Sequence, residues 1–322
     1  MRLALVTGLF LPLLSAPDFT GVTVEEGTKV TKSFESSLRL ELVDMSFTID
    51  GEEQPLPAGS APTMILRDEE EVVFVDEYVK VGDGRALELV RTYETLGDIS
   101  TQSITPPDSD EETEETEIGE SVFEGQSVRF VWDEDDETYV ATYVDEEDAD
   151  EDLLDDLEGE ADFLCLLSDE PMEQGSRWDI DVSAFQRISS PSGDLHIDDP
   201  AANEEGDDAF SEAFDENLTG EMSGTVESIE DGKATILIEG EVSTEFELDL
   251  SEDGLEGPTQ GFELTFEIEG TLIWDLEAGH AVEFQWGGDV EMTVTLSGEL
   301  EIGELAQIQL FEGTLECSAT FE

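Results

Sequence analysis

From residue 218 to the end of the chain, apolar and polar residues, many of them acidic, alternate with a period of two. Phe262, Leu264, Phe266 and Ile268 interleave with Glu263, Thr265, Glu267 and Glu269, and Val290, Met292, Val294 and Leu296 interleave with Glu291, Thr293 and Thr295. Successive side chains of a strand point to opposite faces, so the pattern predicts strands with one buried and one wet face. Phe246, Leu248 and Leu250 repeat it, as do Leu315, Cys317, Ala319 and Phe321, which places the end of the chain inside a sheet. Earlier, Leu38, Leu40 and Leu42 change phase to Val43, Met45, Phe47 and Ile49. One extra residue in a strand does this, and a β-bulge is expected near Leu42 and Val43. Gly224 to Ala234 and Gly270 to Ala281 both read as strand, turn glycine, strand, predicting two hairpins of common construction.

One stretch follows a different period. Ala149, Leu153, Leu157, Ala161 and Leu164 recur at helical spacing, acids crowd the N-terminal turn, and Pro171 lies beyond the end. This predicts an amphipathic helix over 148–166, with Gly159 as its weak point. Three stretches read as loops: Gly51 to Pro62, Pro106 to Glu117, and Ser189 to Asn217. The last is the candidate sub-boundary, within 189–219, or a surface excursion with a short helix around Asp208 to Phe214. Apolar strand faces must be covered by the helix, by the sheet's own other half, or by an apolar ligand. The expected fold is mainly β: a large curved antiparallel sheet, half-barrel or sandwich-like, with one amphipathic helix packed on it through Leu153, Leu157, Ala161 and Leu164. Trp286 shares a face with Phe284 and is expected in the core.

Charge changes the picture more than any motif. The chain has 322 residues, 86 of them acidic against 12 Lys plus Arg, and a formal charge of -74. Such a chain repels nucleic acid and anionic membranes, leaving cations, basic partners and salty water. No Lys or Arg follows Lys233 to balance Glu263, Glu267, Glu283 and Glu291, so a halotolerant fold stabilised by salt is expected. The first residues place one Arg before an apolar run from Leu3 to Leu14 and small residues at Ser15 and Ala16. They read as a signal peptide over 1–16, leaving an extracytoplasmic β-rich region over 17–322 that is secreted or periplasmic. No Cys adjoins the cleavage site to carry a lipid anchor, and no other stretch is long and apolar enough to span a bilayer. In an exported protein Cys165 and Cys317 could pair, with two independent buried thiols as the alternative.

Candidate chemistry is sparse. His196 and His280 are the only histidines, and neither sits at zinc-ligand spacing with a Cys or a second His. There is no nucleophile elbow, phosphate loop or dinucleotide fingerprint. With 86 carboxylates, no pair can be nominated for glycosidase chemistry, so no catalytic or cofactor-binding residue is assigned and no cofactor is expected. Asp133 to Glu137 and Asp145 to Asp152 offer oxygens for calcium, but Thr138 and Val144, then Leu153 and Gly159, stand where an EF-hand loop needs Gly and Glu. The metal question stays open at the level of weak cation association.

Gly125 to Tyr143, the predicted helix, Leu166 to Pro171, Gly175 to Ile180 and Gly270 to Gly279 together resemble uncharacterised secreted β-rich proteins of planctomycete-type bacteria. More distantly, they are similar to periplasmic lipoprotein carriers, whose antiparallel half-barrel wraps a helix. The resemblance covers roughly Glu120 to the C-terminus. It implies a half-barrel but no activity, and the missing lipidation Cys departs from the lipoprotein pattern. Two functional classes follow: a non-enzymatic extracytoplasmic protein that binds an apolar ligand or serves as an envelope component, and a carboxylate-based hydrolase.

Overall fold

The computed structural model describes residues 21–54, 60–107, 109, 111–144, 151–168, 170–198, 204–250, 258–300 and 303–322. The proposed signal peptide lies outside them. Fourteen strands form one antiparallel sheet that is not closed into a barrel: β1 (Lys29–Ile49), β2 (Glu52–Gln54), β3 (Thr63–Gly82), β4 (Arg85–Thr105), β5 (Thr113–Ser121), β6 (Ser127–Asp133), β7 (Thr138–Tyr143), β8 (Arg177–Ile180), β9 (Ile197–Asp198), β10 (Thr219–Glu230), β11 (Lys233–Asp249), β12 (Thr259–Asp275), β13 (His280–Leu300) and β14 (Gly303–Phe321). Their order is β7-β6-β4-β3-β1-β14-β13-β12-β11-β10-β8, with β2 on β1, β5 on β4 and β9 on β5. Sequence neighbours mostly pair as hairpins. Asp50-Gly51, Asp83-Gly84 and Asp231-Gly232 turn three of them, each with positive φ at both residues, the backbone that matches the twist of the flanking strands.

The expected bulge is present: the β1–β14 register shifts between Leu42 and Asp44. The two hairpins of common construction are β10–β11 and β12–β13, and β14 carries the chain to Phe321 within the sheet. Two loop readings need correction: Glu52–Gln54, read within the Gly51 to Pro62 loop, forms β2 against β1, and part of the acidic run up to Glu117 is strand. Thr113 to Glu117, read as part of an acidic loop, pair with β4 as the first half of β5, because a wet edge-side strand tolerates acids on both faces. In the 189–219 stretch a helix, α2 (Glu204–Glu216), spans the predicted Asp208 to Phe214, and one continuous sheet receives strands from both sides of it.

The predicted helix over 148–166 is not formed. Its described part contains two 3-10 turns, Glu151–Leu154 and Leu164–Leu166, and an isolated bridge between Leu157 and Gly193; residues 145–150 lie outside the described set. Backbone groups that a helix would pair internally are taken by distant partners. Arg91 donates to the carbonyls of Glu158 and Gly159, the Glu158 N–H donates to Ser192 O, and Phe163 is left-handed at φ 56°. Leu157 and Ala161 are nevertheless buried and Leu153 and Leu164 half-buried, so the periodicity located core contacts while misjudging the backbone. The helices packed on the sheet are α2 and a shorter one that precedes it.

Apart from β8 and β9, the described residues between 151 and 218, which include α1 (Ala184–Ser189) and α2, lie across one face of the sheet, its inner face. Phe163 meets Phe284, Phe321 and Phe34 with ring centroids 4.9, 5.8 and 5.9 Å apart. Phe185 of α1 lies 5.0 Å from Phe266 and 5.8 Å from Trp286, and Phe210 of α2 lies 5.1 Å from Phe262 and 5.2 Å from Phe246. Each such ring removed from water contributes about 2 to 3 kcal/mol. Trp286 is buried, as its strand position predicts.

Candidate functional site

Three neighbouring strands each place a charged residue on the inner face among apolar ones: Lys32 between Val30 and Phe34 in β1, Asp76 between Phe74 and Tyr78 in β3, and Arg91 between Leu89 and Tyr93 in β4. All three are fully buried. Lys32 Nζ lies 2.9 Å from Asp76 Oδ2 and 2.9 Å from Asp162 Oδ1 on the overlying segment. Arg91 clamps Asp76 through Nε at 2.8 Å and Nη2 at 2.9 Å, and its Nη1 donates to Ser192 Oγ and Glu158 O, both at 2.8 Å. Tyr78 donates to Asp162 at 2.7 Å.

Two cations face two carboxylates in this cluster. Burial alone would lower the Lys32 pKa, but Asp162 and Asp76 outweigh it and the net shift is upward. Burial likewise opposes ionisation of Asp76, and Arg91 with Lys32 reverse that, holding it low. Burial, then Asp162, raises Glu160. Because Lys32, Asp76, Arg91, Tyr78 and Asp162 are all buried, the cluster is placed to clasp the segment carrying Asp162 and Ser192 to the sheet rather than to meet a substrate.

A second set of ionisable groups lies further along the inner face. Glu70 and Asp98 are directly opposite each other on β3 and β4, and Asp68 Oδ1 accepts the Ser100 hydroxyl at 2.5 Å. Burial, followed by Asp68 and Asp98, raises Glu70 to about 7. Burial and the adjoining Asp68 carboxyl raise Asp98 to about 7. Glu70, Ser36 and Cys317 also line a cavity of about 40 Å³ beneath Ser189 to Gly193. Burial and then Glu70 push the Cys317 thiol up to about 12.

On the opposite, outer face the sheet is hollowed into an open trough of about 1240 Å³ that runs from β4 and β5 across to β11. Exposed Glu35, Glu71, Glu239, Glu269 and Glu316 line it, with Ile99 at one end and Leu237 at the other. Glu35 is opposite Glu71, and Glu239 is opposite Glu269. This arrangement can hold positive charge over a long path but sets no nucleophile beside a base.

The residues weighed from sequence fall elsewhere. His196 is half-buried, with Nε2 3.3 Å from Leu153 O, and His280 contacts the Ala281 carbonyl. Among the described residues no group of three His, Cys, Asp or Glu side chains is placed to hold a metal ion. Asp133 caps the β6–β7 turn by accepting the Asp135 N–H at 2.8 Å. Cys165 and Cys317 are free, half-buried thiols, so the pairing weighed from sequence is absent here; Cys165 sits on the turn Leu164–Leu166, and Cys317 faces Glu70. The clasp and the Glu70–Asp98 pair escaped the sequence reading, although charge on the apolar parity of three strands was a visible signal. No protein-family model matches the chain, and no curated protein matches it.

Proposed function

We propose that the chain is a non-enzymatic, extracytoplasmic acidic β-protein, an envelope or surface component that associates with cations or a basic partner along its outer trough. The observation that carries this reading is the trough itself, lined by glutamates from β3, β1, β14, β12 and β11, with Glu35 facing Glu71 and Glu239 facing Glu269. An apolar-ligand role has less support. The described residues around Phe163, α1 and α2 occupy the inner face, and the cavity beneath Ser189 to Gly193, about 40 Å³, is far below the roughly 300 Å³ or more of a small-molecule site.

Titration with an octalysine peptide at low salt tests the reading. A variant carrying Glu35→Gln, Glu71→Gln, Glu269→Gln and Glu316→Gln should lose several-fold more affinity than a control with Glu245→Gln, Glu263→Gln, Glu291→Gln and Glu312→Gln, which changes the charge equally elsewhere on the outer face. Equal losses would reduce the trough to ordinary surface charge.

A carboxylate-based hydrolase is the second reading, favoured by one observation: Glu70 and Asp98, both raised to about 7, border the trough. Their strand parity turns them to the inner face, beneath the trough floor. Turnover of a glycoside or ester panel that disappears in Glu70→Gln while the fold is retained would establish it.

A further inference from the structure

We infer that β7 is a self-pairing edge through which two copies of this chain join their sheets. β7 ends the strand order, with β6 on one side and, among the described residues, no backbone hydrogen bond from Thr138 to Thr142 on the other. Natural edges are blunted by charge, proline or bulges. β7, Thr-Tyr-Val-Ala-Thr-Tyr, has none of these in a chain with 86 acids, and it pairs with β6 without a register shift.

Local charge singles out a second copy as the occupant. The outer positions Thr138, Val140 and Thr142 are uncharged and exposed, Val131 stands exposed opposite Val140, and Arg129, opposite Thr142 on the same face, is neutralised by its ion pair with Glu88. The rest of the outer face carries the like charge that holds copies apart. The other end of the order, β8, is only four residues long and exposes Arg177 and Asp179.

The register follows from backbone directions. Val144 N–H bonds Ser127 O, so N–H groups of alternate residues, Val140 and Thr142 among them, face β6, whereas those of Tyr139 and Ala141 face away from it. A two-fold axis at Val140 pairs Tyr139 with Ala141 of the second copy in both directions, a large residue against a small one. It sets Thr138 against Thr142, and Val140 against its own copy at a non-hydrogen-bonded position, where Cα atoms approach to about 4.5 Å. The acidic turns Asp133 to Glu137 then flank the seam on both sides, so pairing needs salt.

Sedimentation velocity in dilute buffer and at 1 M NaCl tests this on the whole protein. A monomer that becomes a dimer with salt is expected, and Ala141→Pro, which removes an edge donor without touching the β6 ladder, should stay monomeric with unchanged circular dichroism. Should that variant not fold, Val140→Cys in a Cys165→Ser, Cys317→Ser background replaces it: oxidation at 1 M NaCl should give a 140–140 cross-link, since that Cα separation suits a disulfide. A monomer at every salt concentration, a dimer that persists in Ala141→Pro, or no cross-link would overturn the inference.

Discussion

Raising salt should stabilise this fold by an amount that its strand register specifies. Glu35 faces Glu71, Glu239 faces Glu269, Glu241 faces Glu267, Glu245 faces Glu263 and Glu291 faces Glu312, all exposed on the outer face. At a carboxylate separation of about 6 Å in water, each pair repels by about 0.7 kcal/mol before screening. Between 10 mM and 1 M salt the Debye length falls from about 30 Å to about 3 Å, which removes about 0.5 kcal/mol per pair. The five pairs together recover about 2.5 kcal/mol, and with an unfolding entropy of about 2.1 cal/mol/K per residue over this length the melting temperature rises by about 4 °C. Longer-range repulsion adds in the same direction. Differential scanning calorimetry at the two salt concentrations reads this directly, and a variant with Glu71, Glu245, Glu267, Glu269 and Glu312 changed to Gln should melt higher in 10 mM salt and gain less from 1 M. A wild-type melting temperature that does not move, or a variant that keeps the full salt response, would refute the reasoning.

Stability should also fall as pH rises from the ordinary carboxylate range near 4.5 through about 7, because the folded state holds protons on Glu70 and Asp98 that the unfolded chain releases. The loss is on the order of 3 kcal/mol at most for Glu70 and smaller for the more exposed Asp98; urea titrations from pH 5 to 8 should show it, and Glu70→Gln should flatten it. Asp162→Ala leaves Lys32 buried beside Asp76 alone and strips Tyr78 of its acceptor, so it should cost about 3 to 5 kcal/mol in denaturant unfolding, whereas Glu41→Ala on the outer face should cost little. A variant retaining only Trp286 should show blue-shifted fluorescence poorly quenched by acrylamide, because that ring lies against Phe185 and Phe284.

How much of this was legible in the sequence depended on whether the cause was local. Strand alternation is a property of consecutive residues, so β12, β13, β14 and the bulge beside Leu42 could be read directly. The 148–166 stretch misled because its 3.6-residue spacing is local while the competitors for its backbone, Arg91 and Ser192, come from elsewhere in the chain. Lys32, Asp76 and Arg91 each break an apolar parity and could have been flagged one by one. Their meeting depends on β1, β3 and β4 lying side by side, which no single strand records. Glu70 and Asp98 are two carboxylates among 86, and only the register that sets them face to face distinguishes them.

On the function proposed above, the chain fills its own inner face and meets its surroundings through the charged outer one. Native mass spectrometry of protein purified from its own host tests it most directly. The expected spectrum shows the mass of the chain, singly or as a dimer, with exchangeable cations and nothing else retained on gentle activation. A lipid or other apolar molecule bound at one per chain would overturn that reading, because the segments carrying Phe163, Phe185 and Phe210 would then have to leave the sheet to admit it.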